Sequence, residues 1–459
     1  MKHNATSILS RGRLCENCRV SSTQTAPVPV PAAQRPSPLA RLAASVSDPV
    51  LRILVTATLI GRVGRGIFLT VTVLYFTLIV KLPAHEVAIV LAASSGVGIV
   101  ASLAGGWLAD RMSAKRLIVG ATTLEGLGLV GYAFTSDFAS ALVIAVVVGA
   151  FGQMANSTRM AIIARAFDGE ARVHARAVLR TVTNVSIAVG SGIGAIALAI
   201  GTAQAYRAFL VLAGLASLGA ILRLVKLPSA VDAPAAAVAV TTATGSIDAL
   251  ATRRAARRAR WAHSPWLDVR YLLLTLASAV FGMQFGVGEL AVPLWIARET
   301  TAPETLVSAV LIMNTVVVIC FQVPLSRGTH DLRRAARVSA IAAWLMAAAC
   351  FVYAAAAGLS PWLAVAVVVA AALAHAFAEV LSQAGGWGLS FELADPVRAG
   401  TYQGVFSMGY SLGALAAPLV VNATVLTHGF GGWAALAAVF LVSGLGTWAI
   451  ARRAAALAG

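Results

Sequence analysis

Residues 106–116 read Gly-Trp-Leu-Ala-Asp-Arg-Met-Ser-Ala-Lys-Arg, a short charged stretch between two apolar runs, 84–109 and 117–136. Either run can cross a bilayer as a helix, which takes about 20 apolar residues. Outward from this hairpin the pattern repeats. Twelve apolar runs follow one another, at 51–80, 84–109, 117–136, 138–163, 177–200, 205–225, 268–297, 304–326, 336–358, 361–392, 402–426 and 432–451. The basic residues between them are sorted. Of thirty-five Lys and Arg, only Lys81, Arg207 and Arg298 fall in one set of gaps, and Arg62 and Arg65 lie inside the first run. The rest gather in the alternate gaps with their bordering helix ends, the 106–116 stretch among them and Arg159, Arg165, Arg172, Arg176 and Arg180 around the gap after run 4, and at the two ends of the chain. Polytopic membrane proteins keep Lys and Arg on the cytoplasmic side. The sequence therefore predicts an all-α, multi-pass protein of the cell membrane, with twelve transmembrane helices and both termini cytoplasmic.

Composition agrees. The chain is 59% hydrophobic and 12% charged, with a mean hydropathy of +0.83; a soluble domain carries about 25% charged residues. A net charge of +17 raises the question of nucleic acid, but such a partner needs basic residues spread on a soluble surface. Here they flank membrane runs, which points to topology and to attraction for anionic lipids. Of the four cysteines, Cys320 and Cys350 fall in apolar runs, while Cys15 and Cys18 form a lone CxxC with only His3 nearby. Zinc needs four ligands, so no metal and no cofactor is expected. The chain has no GxxxxGK[ST], HExxH or GxSxG, which argues against ATP as an energy source and against an enzyme.

The runs group as six and six. The expected divisions are a disordered cytoplasmic tail at 1–45, a first six-helix bundle at 46–226, a cytoplasmic linker at 227–266, a second bundle at 267–453 and a short tail at 454–459. The linker closes on RRAARRARWAHSPW at 253–266, either a helix on the anionic leaflet or a solvated segment. The halves echo one another. The gap after run 2, GGWLADRMSAKR, has a counterpart after run 8, PLSRGTHDLRRAAR, and ARAFDGEARVHARA after run 4 has ELADPVRAGTYQG after run 10. Such internal symmetry suits a duplicated six-helix unit.

Gly106, Asp110, Arg111, Lys115 and Arg116, between runs 2 and 3, resemble the GxxxDRxGRR/K signature of the major facilitator superfamily, with Ser113 and Ala114 where that family usually has Gly and Arg. Within the superfamily the chain is most similar to actinobacterial twelve-helix drug:proton antiporters, on residues 379–394 and 402–406. The antiporter signature of the fifth helix is incomplete: Gly190, Gly192 and Gly194 are present but its proline is not. The resemblance implies two six-helix bundles, alternating access, and a cytoplasmic latch at the signature. It also implies a monomer exporting an amphipathic drug-like molecule in exchange for protons. Proton-coupled uptake, sugar or metabolite efflux, and a non-transporting receptor or scaffold are the alternatives.

Charges at bilayer depth are the candidate site, since each costs at least about 2.5–3.5 kcal/mol to insert. Arg62 and Arg65, three apart, share a helix face and either line a cavity or snorkel to the inner interface. Glu379 lies deep in run 10, with His375 one turn before it and Gln383 one turn after, a polar stripe on one face. Glu379 is the first candidate for exchanging a proton or touching cargo, and Glu289 in run 7, near the helix-loosening Pro293, is the second. Glu125 in run 3 is a weaker candidate, because third helices of the superfamily usually lie away from the cavity. Among neutral polar residues, Asn156 in run 4 is the expected cavity contact, while Asn314 is read as glue between helices.

Overall fold

A computed structural model describes residues 47–231 and 264–458. The Cys15–Cys18 pair, the tail at 1–45 and most of the basic linker segment lie outside the described residues. Twelve long helical segments follow in chain order. The first six are α1 (Pro49–Ile79), α2 (Ala84–Ala109), α3 (Ala114–Tyr132), α4 (Phe138–Ala166), α5 (Gly169–Ile200) and α6 (Ala203–Leu224). The second six are α7 (Val269–Glu299), α8 (Thr305–Ser326), α9 (Leu332–Ala355), α10 (Pro361–Glu392), α11 (Pro396–Leu426) and α12 (Phe430–Ala458). Eleven are long and apolar enough to cross a membrane. The exception, α3, carries Lys115, Arg116 and Glu125 within nineteen residues, yet it packs along α4 and α6.

Short polar residues set the helix starts. Asp48 accepts from the amides of Val50 and Leu51 at 2.8 and 2.9 Å, Ser113 from that of Arg116 at 3.1 Å, and Asp331 from that of Arg334 at 2.7 Å. Each supplies an acceptor to a first-turn amide that the helix cannot satisfy itself. At Asp137 a reciprocal pair with Ser140 starts α4, and the Ser140 amide holds the Asp137 carboxyl below the usual carboxylate range. Three helices contain a π turn, at Tyr75–Ile79, Val287–Ala291 and Asn422–Leu426. The middle one interrupts α7 at Glu289, just before Pro293.

Packing repeats between the halves. Helix α1 lies against α5 and α6, α2 against α4, and α3 against α4 and α6; α7 lies against α11 and α12, α8 against α10, and α9 against α10 and α12. The halves meet through α2 with α11 and through α5 with α8, the same two positions exchanged. This is the arrangement of two repeats related by an approximate two-fold axis.

Helix ends differ from the apolar runs where charge is dense. Helix α5 begins at Gly169 rather than near 177, and α4 continues to Ala166, so two residues connect them. Arg159, Arg176 and Arg180, which by charge sorting belong to a cytoplasmic gap, therefore lie within helices. Helix α12 runs on through 454–458 instead of ending in a tail; its alanine-rich end, the best helix-forming composition, favours this.

Candidate functional site

Between the helices of the first half lies a cavity of about 360 Å³, within the range of small-molecule sites. Five arginines line it: Arg62 and Arg65 from α1, Arg159 from α4, and Arg176 and Arg180 from α5. The single carboxylate in the lining is Glu125 of α3. It interacts coulombically with Arg65 and Arg159. It reaches the cavity past Gly152, where a Cβ would stand 2.9 Å from Glu125 Oε1. Asn156, Gln153, Ser94, Ser95 and Thr183 add neutral polar groups. Among the described residues no carboxylate lies within 4.0 Å of Arg62, Arg65 or Arg159. The Nε atoms of Arg159 and Arg180 are buried without a partner.

The spacing of α5 aims three arginines at the other half. Arg172, Arg176 and Arg180 recur every four residues and so share one helix face. Arg172 Nη1 lies 3.5 Å from Glu392 Oε1, the Arg176 guanidinium stands 4.7 Å from the Trp387 ring centre, and Arg180 Nη2 is 3.1 Å from Glu379 Oε1. Glu379, Trp387 and Glu392 all belong to α10. The Arg180 guanidinium also lies 5.5 Å from the Phe285 ring centre of α7.

Glu379 is buried and well partnered. Its Oε1 accepts from Arg180 and, at 3.3 Å, from Gln383 Nε2; its Oε2 accepts from Asn314 Nδ2 at 3.0 Å. Asn314, read from sequence as glue, thus orients the carboxylate. His375 is buried apart from the cavity lining, its ring 6.2 Å from Tyr353 and its Cε1 against Gly288. Glu289 is exposed, outside the lining, and feels the Glu379 charge. The structure thus brings Arg62, Arg65, Asn156 and Glu125 to one cavity, sets Glu379 with Gln383 at its edge, and leaves His375 and Glu289 off it.

Toward the chain termini, the signature stretch touches the second half. Asp110 Oδ1 accepts from Arg165 Nη2 at 2.6 Å and from the Gly400 amide at 2.9 Å. Its Oδ2 accepts from the Thr401 amide at 2.6 Å and from the Thr401 hydroxyl. The carboxylate so caps the α-helical part of α11, which starts at Ala399 after a 3-10 turn at Pro396–Arg398, where unsatisfied amides and the helix dipole favour an anion. Gly106 allows the approach: a Cβ there would overlap the Gly400 carbonyl and stand 2.8 Å from the Gly404 Cα. The basic residues of the stretch point elsewhere. Arg111 lies over the Trp107 ring at 3.7 Å, Lys115 Nζ donates to the Leu227 carbonyl at 2.9 Å, and Arg116 is exposed. Arg165 and Arg172, counted from sequence as charges of the gap after run 4, make ion pairs at this end.

The Major Facilitator Superfamily profile matches residues 54–418, most of the chain. The chain belongs to this superfamily. It is thus a secondary transporter and a multi-pass membrane protein in a family of transporters, not enzymes. No curated protein gives a significant sequence match. Solved structures share the fold at low identity. One is described as the human organic anion transporter MFSD10 (TETRAN), at 14% identity and a TM-score of 0.64, covering 87% of this chain and 99% of that one. A bacterial homologue of the iron transporter ferroportin in an outward-facing state matches at 15% identity and TM-score 0.65, covering 88% and 98%. The proton:xylose symporter XylE bound to 6-bromo-6-deoxy-D-glucose matches at 14% and 0.63, covering 88% and 96%.

Proposed function

We propose that this chain carries small amphipathic organic anions across the cytoplasmic membrane by alternating access, coupled to protons through Glu379. One observation carries the reading: five arginines face a single carboxylate around one cavity between helices of the first half. Two unit charges about 6 Å apart interact by about 3 kcal/mol at an effective dielectric near 20. A cargo anion gains that from each nearby uncompensated arginine, and a cationic drug loses it. The second half supplies the apolar side, with Phe285 and Trp387 beside Arg180 and Arg176. A solved structure of this fold is described as an organic anion transporter, which supports no more than that the fold admits such cargo.

The Asp110, Arg165 and Arg172 contacts would hold the terminal, cytoplasmic face shut in one of the two states between which the halves rock. Drug export against protons, which the antiporter resemblance implies, requires cargo and proton to exclude each other. Proton-coupled uptake requires them to bind together. Which holds depends on how Glu379 shares Arg180. A scaffold has no use for a cavity in which Arg62, Arg65 and Arg159 have no carboxylate within 4.0 Å among the described residues.

The cargo reading is tested with three probes of one shape: naphthalene-2-sulfonate, the neutral naphthalene-2-sulfonamide, and a naphthylmethylammonium cation. Tryptophan fluorescence of the purified protein should report binding of the sulfonate alone. Equal binding of all three, or preference for the cation, would overturn it.

A further inference from the structure

We propose that the Arg180–Glu379 pair makes anion and proton bind together, so that both cross the membrane in the same direction. This rests on the anionic-cargo reading above and adds the sign of the coupling. Arg180 is the one side chain that both lines the cavity and pairs with Glu379. Its own side chain is 29% exposed, that of Glu379 only 6%. An anion entering the cavity meets a guanidinium already shared with Glu379, whose Nε is buried without a partner. As the anion draws Arg180 to itself, Glu379 is left buried without its cation. A buried carboxylate in that position is neutralised by a proton instead of persisting as an ion. Protonation first has the same result in reverse order: it releases Arg180 for the anion. Linkage requires the two effects to be equal.

The surroundings of Glu379 fit this role. Arg180 faces it from α5, Glu289 from α7 and Tyr410, itself near Arg176, from α11, with His375 on its own helix. Helix α8 offers the neutral Asn314, α9 places Tyr353 against His375, and α12 has no titratable side chain before Arg452. Arg180 is thus the only cation in direct contact among the described residues. Glu289, once Arg180 moves away, adds repulsion that further favours the protonated form. Asn314 and Gln383 keep the side chain in place in either state. Cargo that competed with the proton for one carboxylate would give the opposite sign.

The experiment uses the purified full chain in weakly buffered detergent near neutral pH, with naphthalene-2-sulfonate as the probe, because its acid group does not titrate there. Fluorescence reads binding and a pH indicator reads protons. The expected result is net proton uptake, approaching one proton per bound anion, with affinity rising up to about tenfold per unit fall in pH. Glu379→Gln should bind the sulfonate at least as tightly, take up no proton and lose the pH dependence. Binding with proton release, or with no proton exchange and a flat pH profile in the unaltered protein, would overturn the coupling while leaving the cargo class intact. Absence of sulfonate binding would overturn the cargo class and the coupling with it. The pH profile of the unaltered protein decides the matter even where the variant does not fold.

Discussion

The two halves of this transporter share a packing scheme and differ in chemistry. Helices α1 to α6 and α7 to α12 repeat the same neighbour relations, but every arginine of the cavity belongs to the first half. The second half answers with Glu379, Phe285 and Trp387, one buried carboxylate amid aromatic and small side chains. Duplication thus explains the scaffold and not the site. Charge was placed on one repeat, the group that can neutralise it on the other, and Arg180 with Glu379 joins them. A transporter whose halves must move relative to one another gains a handle there: whatever disturbs that pair disturbs the interface.

The largest expected effect comes from removing the asymmetry itself. The double change Arg62→Gln with Arg159→Gln takes away two arginines that have no carboxylate partner. At about 3 kcal/mol each before solvent screening, affinity for naphthalene-2-sulfonate should fall by about 10²–10⁴-fold. Thermal stability should hold or rise, since unpaired cations at membrane depth are costly. An unchanged affinity in calorimetry would place cargo elsewhere.

The second effect separates the two partners of the bridge. Arg180→Gln strands a carboxylate whose side chain is 6% exposed, whereas Glu379→Gln leaves an arginine that is 29% exposed and lines the cavity. Breaking a buried pair costs about 3–5 kcal/mol, and partial exposure brings the expectation for Arg180→Gln to about 2–3 kcal/mol. Thermal unfolding in detergent should show a clear loss for Arg180→Gln and little for Glu379→Gln. Equal losses would mean that the pair is a simple structural tie.

How much of this asymmetry the sequence discloses depends on what surrounds each charge. Arg62, Arg65 and Glu379 are visible because they interrupt long apolar runs, and Asp110 because its neighbours form a motif. Arg159, Arg176 and Arg180 are hidden by the charged helix ends on either side of the two-residue turn between α4 and α5, which together read as one cytoplasmic gap. The usable signal was the recurrence of Arg172, Arg176 and Arg180 every four residues. The entry of Glu125 into the cavity depends on Gly152, a contact across helices that no local pattern discloses. The partners of Asp110 at Gly400 and Thr401 lie about 290 residues away in sequence, beyond any local pattern. His375 shares a stripe with Glu379, but a helix stripe wide enough to include both turns only part of itself to the cavity.

A smaller effect tests the join on the terminal side. Gly106→Leu cannot keep its contact with Gly400 and Gly404, so the face closed by Asp110 should open. A cysteine at Gln403, now 2% exposed, should then react with a maleimide at least about tenfold faster. Asp110→Asn keeps a cap acceptor but loses the Arg165 ion pair. Its effect should be lower, a shift of about 1–2 kcal/mol in the open–closed balance, or about 5–30-fold in population. Unaltered labelling in Gly106→Leu would show that this face does not move.

The smallest effect concerns the apolar side of the comparison. Phe285 lies under the Arg180 guanidinium at 5.5 Å, a contact of about 0.5–1 kcal/mol where partly exposed. Phe285→Leu keeps most of the volume and removes the ring. If Phe285 only steadies Arg180, affinities for aromatic and aliphatic sulfonates should fall alike, by about twofold. If it also receives the cargo body, the aromatic sulfonate should lose about fivefold, because ring pairs add about 0.5–1.5 kcal/mol beyond burial, while an aliphatic sulfonate loses the smaller amount. The ratio of the two losses, read by titration on one variant, decides whether the second half recognises the cargo or merely holds the arginine that does.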